Sequence, residues 1–260
     1  TTAPAAAPTT APAAQTAPAQ PAQVPRNRQL ILMWSGRDGK YIDYELWNPY
    51  APDDNHQNGP GIFYEPLFFY SAFANKEIPW LAESYTTAAD GMSVAVTLRQ
   101  GVTWSDGQPF TSDDAKFTIE LLRDTPSLVF AADMKEWVKD VTVTDPTHFT
   151  INLNKANIRF FYFYFVENSE IHIPILPKHV WQGKDPATFT NFDLNSGWPV
   201  GTGPYVLVDA SAQAQIFDRN DNWWGAKSGF QQLPKPMRVI FEQPGAADTA
   251  AARTINNEFD

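Results

Sequence analysis

The sequence contains no cysteine, which excludes disulfides, thiolate catalysis and cysteine-ligated metals. It is poor in cations: 19 Lys and Arg stand against 29 Asp and Glu, for a net charge of −10 and a pI near 4.8. A nucleic-acid partner is therefore not expected, because neutralising phosphates requires clustered Lys and Arg. Long apolar runs are missing as well. The longest, Ile158–Val166, is about half of the roughly 20 residues a membrane span needs, and it contains Arg159. A buried strand or short helix is expected there. No basic start with an apolar centre marks a signal peptide, so an exported protein would be present here in processed form.

Motifs that carry chemistry are incomplete. His56, His148, His172 and His179 show no HExxH or paired ligand spacing, so a catalytic zinc is not expected. Gly201-Thr202-Gly203 begins a dinucleotide fingerprint, but Val206 occupies the third glycine position and a strand follows, which fits a tight backbone turn. Gly91–Ala95 has the spacing of a nucleophile elbow, yet Ser93 opens an alternating strand. Asp218–Asn222 offers oxygens at alternate positions like half a calcium loop. Trp223 stands where the turn glycine is needed and Gly229 where the bidentate Glu is needed. Acid pairs such as Asp113/Asp114 are explained by helix capping, and spacing cannot reveal the two carboxylates of a glycosidase. No catalytic residue, metal ligand or cofactor site is expected.

What the chain does have is aromatic side chains, 14% of residues with nine Trp, more than core packing needs. Trp34, Trp47, Asn48, Asn58, Tyr64, Trp104, Trp198, Trp223 and Trp224 fall on segments that read as loops. Flat rings beside amides suit a neutral polar ligand, the ring stacking on an apolar face while amides meet hydroxyls or peptide groups; core packing is the alternative for any one Trp. Residues 1–27, with ten Ala and six Pro and only Arg26 charged, cannot bury enough apolar area to offset chain entropy. They read as an extended tether, suited to holding an exported protein clear of a membrane, or as an interdomain linker.

Folded sequence begins at Gln29–Trp34, a buried-strand pattern. Ile62–Tyr70 reads as helical until Pro66. Val94, Val96 and Leu98 alternate as a strand that enters the turn Ser105-Asp106-Gly107, followed by a helix start at Thr111 or Ser112. Ala115, Ile119 and Leu122 recur at helical spacing, with Lys116 and Glu120 paired four apart. Val138–Thr144 and His148–Leu153 form a hairpin around Asp145-Pro146-Thr147. Ile173–Pro177 reads as an edge segment entering a short helix. Pro199–Val208 reads as a glycine-rich turn opening a strand, with Gln213–Arg219 as its partner; Arg238–Phe241 is another strand, then helical character over Ala246–Phe259. Helices and strands mix without strict alternation, which predicts an α/β or mixed α+β protein.

The stretch Leu98–Leu122 resembles the signature of the family 5 extracellular solute-binding proteins, the dipeptide-, oligopeptide- and nickel-binding class that serves ABC importers. Leu98, Arg99, Gly101, Val102, Trp104, Asp106, Gly107, Pro109, Thr111 and Asp114 match the pattern xLRxGVxWxDGxPxTAxDV, with Ser112 and Ala115 in place of Ala and Val. Tyr64–Leu67 is similar to the early YEPL segment and Ile78–Ala82 to PxLA. The hairpin Val138–Leu153, Ile175–His179, Val200–Tyr205, the pair Trp223-Trp224 and Asn256–Asp260 follow in the family's order.

The resemblance implies a two-lobed periplasmic-binding-protein-like fold of type II, cluster C, closing on its ligand by hinge motion. It places residues 28–45 and 171–245 in the hinge-bearing lobe, 46–170 in an inserted domain, and 246–260 at the start of the second lobe. Members are about twice this length, so the chain is expected to be partial, with the remaining C-terminal half and the importer's membrane subunits as partners. It also implies an extracytoplasmic location, with a lipidated N-terminus not contained in this chain. The expected ligand is an oligosaccharide, or alternatively an oligopeptide; a secreted glycosidase or peptidase is the distant alternative. The residues expected to meet it are Trp34, Asn58, Tyr64, Phe130, Trp198 and Phe241, with Glu65 receiving a peptide's amino terminus if the ligand is a peptide.

Overall fold

A computed structural model describes residues 23–34, 41–52, 60–167 and 172–260. In chain order the strand β1 (Gln29–Met33) is followed by a single helical turn, α1 (Pro60–Phe63), and by β2 (Phe68–Ser71), β3 (Lys76–Pro79), β4 (Ala82–Thr87) and β5 (Ser93–Leu98). Two helices come next, α2 (Ser112–Asp124) and α3 (Ala131–Trp137), then the hairpin β6 (Val138–Asp145) and β7 (His148–Leu153). The short elements α4 (Phe160–Phe165), β8 (Val166–Glu167) and α5 (Lys178–Trp181) lead to β9 (Tyr205–Ala210) and β10 (Ala214–Arg219). The chain closes with α6 (Trp224–Lys227), β11 (Arg238–Glu242) and α7 (Ala247–Ile255).

Three sheets result, ordered β1-β11-β10-β9, β3-β2-β8 and β4-β5-β7-β6. In the first, β1 and β11 run parallel and the other pairs are antiparallel. The expected alternation is realised: Val94, Val96 and Leu98 of β5 and Phe149, Ile151 and Leu153 of β7 are buried on one face. Asp145 Oδ1 accepts from the Thr147 N–H at 2.8 Å and closes the β6–β7 turn. Where β5 passes to α2, Asp106 Oδ1 accepts from the Gln108 N–H at 3.0 Å, and Gly107 takes a φ of +88°. The start of α2 is fixed by Asp114, whose Oδ2 accepts from the Thr111 N–H at 2.8 Å. Ala115, Ile119 and Leu122 are buried, and Lys116 and Glu120 pair on the outer side at 3.3 Å.

One expectation is met in both its forms and one changes. Ile158–Val166 is helix before it is strand: Asn157 Oδ1 accepts from the Arg159 N–H at 3.0 Å, and the turn it starts buries Phe160, Phe161 and Phe165 together. Ile173–Pro177 is extended but joins no sheet, because the Leu176 N–H donates to the Thr118 hydroxyl of α2 at 2.9 Å and the Ile173 N–H to the Tyr164 carbonyl at 2.8 Å. The larger core lies among the second and third sheets and α2; a smaller one, with Trp47, Phe63, Tyr64, Tyr205, Leu207, Phe217 and Val239, underlies the first sheet. After α7 the backbone returns to that sheet, where the Asp260 N–H donates to the Ile31 carbonyl at 2.9 Å and the Ile31 N–H to Asp260 Oδ2 at 2.8 Å.

Candidate ligand-binding site

Because β1 and β11 are parallel neighbours, their carboxyl ends lie side by side, the end at which open α/β sheets receive ligands. Leu32 pairs with Phe241 and Met33 with Glu242, and the Trp34 N–H donates to the Glu242 carbonyl at 3.0 Å. This register brings Trp34 and Phe241 to the same edge. Trp34 is 55% exposed and Met33 before it 45%. Phe241 is half-buried and meets Phe217 edge-on at 6.0 Å, which anchors it to the small core. Glu242 accepts from Arg253 at 2.8 Å, and Arg253 also binds Glu258 at 2.8 Å and lies 4.3 Å from the Phe259 ring. The strand ends thus offer a largely exposed Trp34 side chain, an aromatic surface able to stack on an apolar face.

The other expected residues are not gathered at this edge. Tyr64 belongs to the small core, its hydroxyl accepting from Asn191 Nδ2 at 2.9 Å, and burial pushes the phenol's pKa up. Phe130 precedes α3 in a left-handed conformation, φ +66°, and faces Tyr50 edge-on at 6.4 Å. Trp198 is held between Phe189, edge-on at 5.5 Å, and the Lys184 ammonium, 5.3 Å over its ring. Asn58 lies outside the described residues.

Glu65 is interior, 4% exposed. Its Oε1 accepts from Trp80 Nε1 at 2.9 Å and its Oε2 from Trp224 Nε1 at 2.7 Å. Buried and bonded by an indole at each oxygen, Glu65 ties interior tryptophans together in this arrangement. Burial raises its pKa to about 7 against the pull of these donors. Trp47, Trp104, Trp223 and Trp224, on segments that read as loops, are likewise core residues. Sequence reasoning missed Trp80 and Thr202 as partners of Glu65. The available signal was an acid inside the aromatic run Ile62–Tyr70.

The glycine turn is explained by close approach. A Cβ at Gly201 would sit 2.1 Å from the Phe63 carbonyl oxygen and one at Gly203 2.3 Å from that of Ile62, and the Gly203 N–H donates to the Phe63 carbonyl at 2.9 Å. The calcium-like loop is an ion-pair corner instead: Asp218 holds Arg238 through both oxygens at 2.6 and 2.8 Å, and Asp221 holds Arg219 at 2.7 Å. Among the described residues no group of three or more His, Asp or Glu is placed to hold a metal ion, and no helix is long and apolar enough to cross a membrane.

Residues 76–260 match the sequence profile of the bacterial extracellular solute-binding proteins, family 5, middle region. The nickel-binding periplasmic protein of Escherichia coli K12 is 30% identical over 205 residues, 75% of this chain and 37% of that protein. A putative ABC transporter peptide-binding protein of Brucella ovis is 28% identical over 199 residues, covering 76% of this chain and 36% of its own length. Among solved structures, a mannohexaose-bound periplasmic oligopeptide-binding protein of an ABC transporter from Thermotoga maritima is similar, with a TM-score of 0.74 and 27% identity. The match covers 92% of this chain and 42% of that one. The chain therefore spans well under half of these relatives.

Proposed function

Because the chain belongs to the family 5 bacterial extracellular solute-binding proteins, we propose that the protein captures a solute outside the cytoplasmic membrane and hands it to the membrane subunits of an ABC importer. Its ligand in this reading is a neutral oligosaccharide. The observation that carries the choice is the exposed Trp34 side chain at the carboxyl ends of the parallel strands β1 and β11. A sugar presents the alternating apolar face and hydroxyl rim that such an edge complements. The Thermotoga relative that holds mannohexaose lends the choice support. An oligopeptide is the second reading, favoured by the peptide-binding names of the Thermotoga and Brucella relatives.

We carry forward the division into a hinge-bearing lobe of residues 28–45 and 171–245 with 46–170 inserted, and residues 1–27 as a tether from a lipidated anchor. The return of Asp260 to Ile31 leads us to assign 246–260 to the sheet of β1 instead of a second lobe. Thermal unfolding of the full-length protein with mannohexaose, with tri- to nonapeptides and with a nickel–histidine complex tests the ligand. At 100 times Kd a true ligand stabilises by about 2.7 kcal/mol. The expected result is a shift with the sugar; a shift with peptides and none with sugars rejects the first choice.

A further inference from the structure

The most exposed large apolar side chain among the described residues is Phe73, 107% accessible at the apex of the β2–β3 hairpin, with Ala72 and Ala74 exposed on either side. The turn beneath it is fixed locally. The Ala74 N–H donates to Ser71 Oγ at 3.1 Å, the Tyr70 hydroxyl donates to Asn75 Oδ1 at 2.5 Å, and Asn75 takes a φ of +48°. Beside the turn, α4 adds further aromatics: Tyr70 meets Tyr162 edge-on at 5.9 Å, and Tyr162 meets Phe163, which is half exposed, at 5.9 Å. Two exposed cations border these rings. Arg159 lies 5.4 Å over Tyr162 and 5.1 Å over Phe163, and Lys76 follows the turn; neither has an ion-pair partner among the described residues. Glu77, the acid next to Lys76, is turned to β4, where its Oε1 accepts from the Tyr85 hydroxyl at 3.1 Å.

We propose that this patch docks the protein on a bilayer surface containing anionic lipid, with the Phe73 ring entering the acyl boundary. The inference rests on the reading of the protein as one held outside the cytoplasmic membrane. Shape favours lipid over a protein partner. Phe73 projects from its hairpin and stacks on no other ring among the described residues, so a folded partner would need a matching socket, whereas lipid yields around a projecting side chain. Chemistry points the same way. An apolar tip backed by phenols and a guanidinium matches a membrane–water boundary, where amphipathic rings and cations sit at headgroup level while the tip goes deeper. Charge selects the orientation: the chain carries −10, so approach to an anionic surface is favoured through a face whose cations are unpaired, as Lys76 and Arg159 are among the described residues.

The test is sedimentation of the full-length protein, free of attached lipid, with vesicles of phosphatidylcholine alone or mixed with phosphatidylglycerol. The expected result is binding to the mixed vesicles that falls at least about tenfold in Phe73→Ser and about fivefold in each of Lys76→Gln and Arg159→Gln. Ile255→Ser removes another bare apolar side chain, 79% exposed on α7, and should bind like the unaltered protein. Undiminished binding by Phe73→Ser, or an equal loss in Ile255→Ser, would overturn the proposal. So would failure to bind either vesicle, the outcome expected if the hairpin apex meets a protein instead. Thermal stabilisation by solute, followed in the same preparations, keeps the two readings apart. Solute binding without vesicle binding rejects the docking surface alone, and vesicle binding that depends on Phe73 supports it whichever solute is bound.

Discussion

At the scale of single residues, two buried titratable groups pull stability in opposite directions over the same pH range. Glu65 holds its proton up to about 7 when folded, against 4.5 ordinarily. Between those values the folded protein carries a proton the unfolded chain has lost, so stability falls as pH rises from about 4.5 to 7. His172 is the reverse. Burial drives its pKa down to about 4 from 6.5, neither ring nitrogen has a hydrogen-bond partner among the described residues, and a Glu167 oxygen lies 3.9 Å away. From pH 4 to 6.5 the unfolded chain binds a proton the folded one refuses, so stability rises with pH. At 1.36 kcal/mol per unit each effect amounts to about 3 kcal/mol in full, and over pH 5 to 6.5 the two nearly cancel. Urea unfolding of the full-length protein should expose them separately. Relative to the unaltered protein, Glu65→Gln is expected to gain about 2 kcal/mol over that interval, and His172→Gln to lose about as much. Parallel pH profiles for all three would contradict both assignments.

At the scale of elements, α2 shows how far sequence reasoning reaches. Its start was readable, since Thr111 and Asp114 stand three apart before an apolar helical pattern, and its inner face was readable from the spacing of Ala115, Ile119 and Leu122. What spacing cannot show is the second task of Asp114. Its Oδ1 accepts from the Lys178 N–H at 2.9 Å, so one carboxylate caps α2 and receives the first N–H of α5, 64 residues later. Thr118 repeats the device, donating to the Asp114 carbonyl while accepting from Leu176. These side-chain anchors replace the sheet pairing expected of Ile173–Pro177. Asp114→Ala should therefore cost about 2–3 kcal/mol, a lost cap plus an unsatisfied N–H at a buried site. Asp113→Ala, whose exposed carboxylate is 3.9 Å from Lys178, should cost under about 0.5 kcal/mol. Equal denaturation midpoints for the two variants would show that Asp114 does not bridge α2 and α5.

At the scale of the whole molecule, periodicity located the strands, because alternation of apolar residues reports burial of one face directly. Aromatic count did not locate the site, because an indole serves a core as well as a ligand once its N–H finds an acceptor, and such acceptors come from distant segments, as Glu65 does for Trp80 and Trp224. Expected contact residues consequently divide: Tyr64 and Glu65 are interior, Phe130 and Trp198 border the larger core, and Trp34 with Phe241 shares the strand-end edge. This division predicts two kinds of tryptophan variant. Trp34 exposes 55% of its surface, so Trp34→Ala should change stability by no more than about 0.5 kcal/mol while weakening mannohexaose binding at least about tenfold, or 1.4 kcal/mol. Trp104 is buried against Phe110, edge-on at 5.4 Å, so Trp104→Ala should cost about 3–5 kcal/mol through the cavity it leaves. Calorimetric titration beside urea unfolding of the full-length protein separates the two effects. A Trp34→Ala variant that binds the sugar as tightly as the unaltered protein would remove the strand-end edge from the ligand site and leave the half-buried aromatics at Phe130 and Trp198 as the remaining contacts to test.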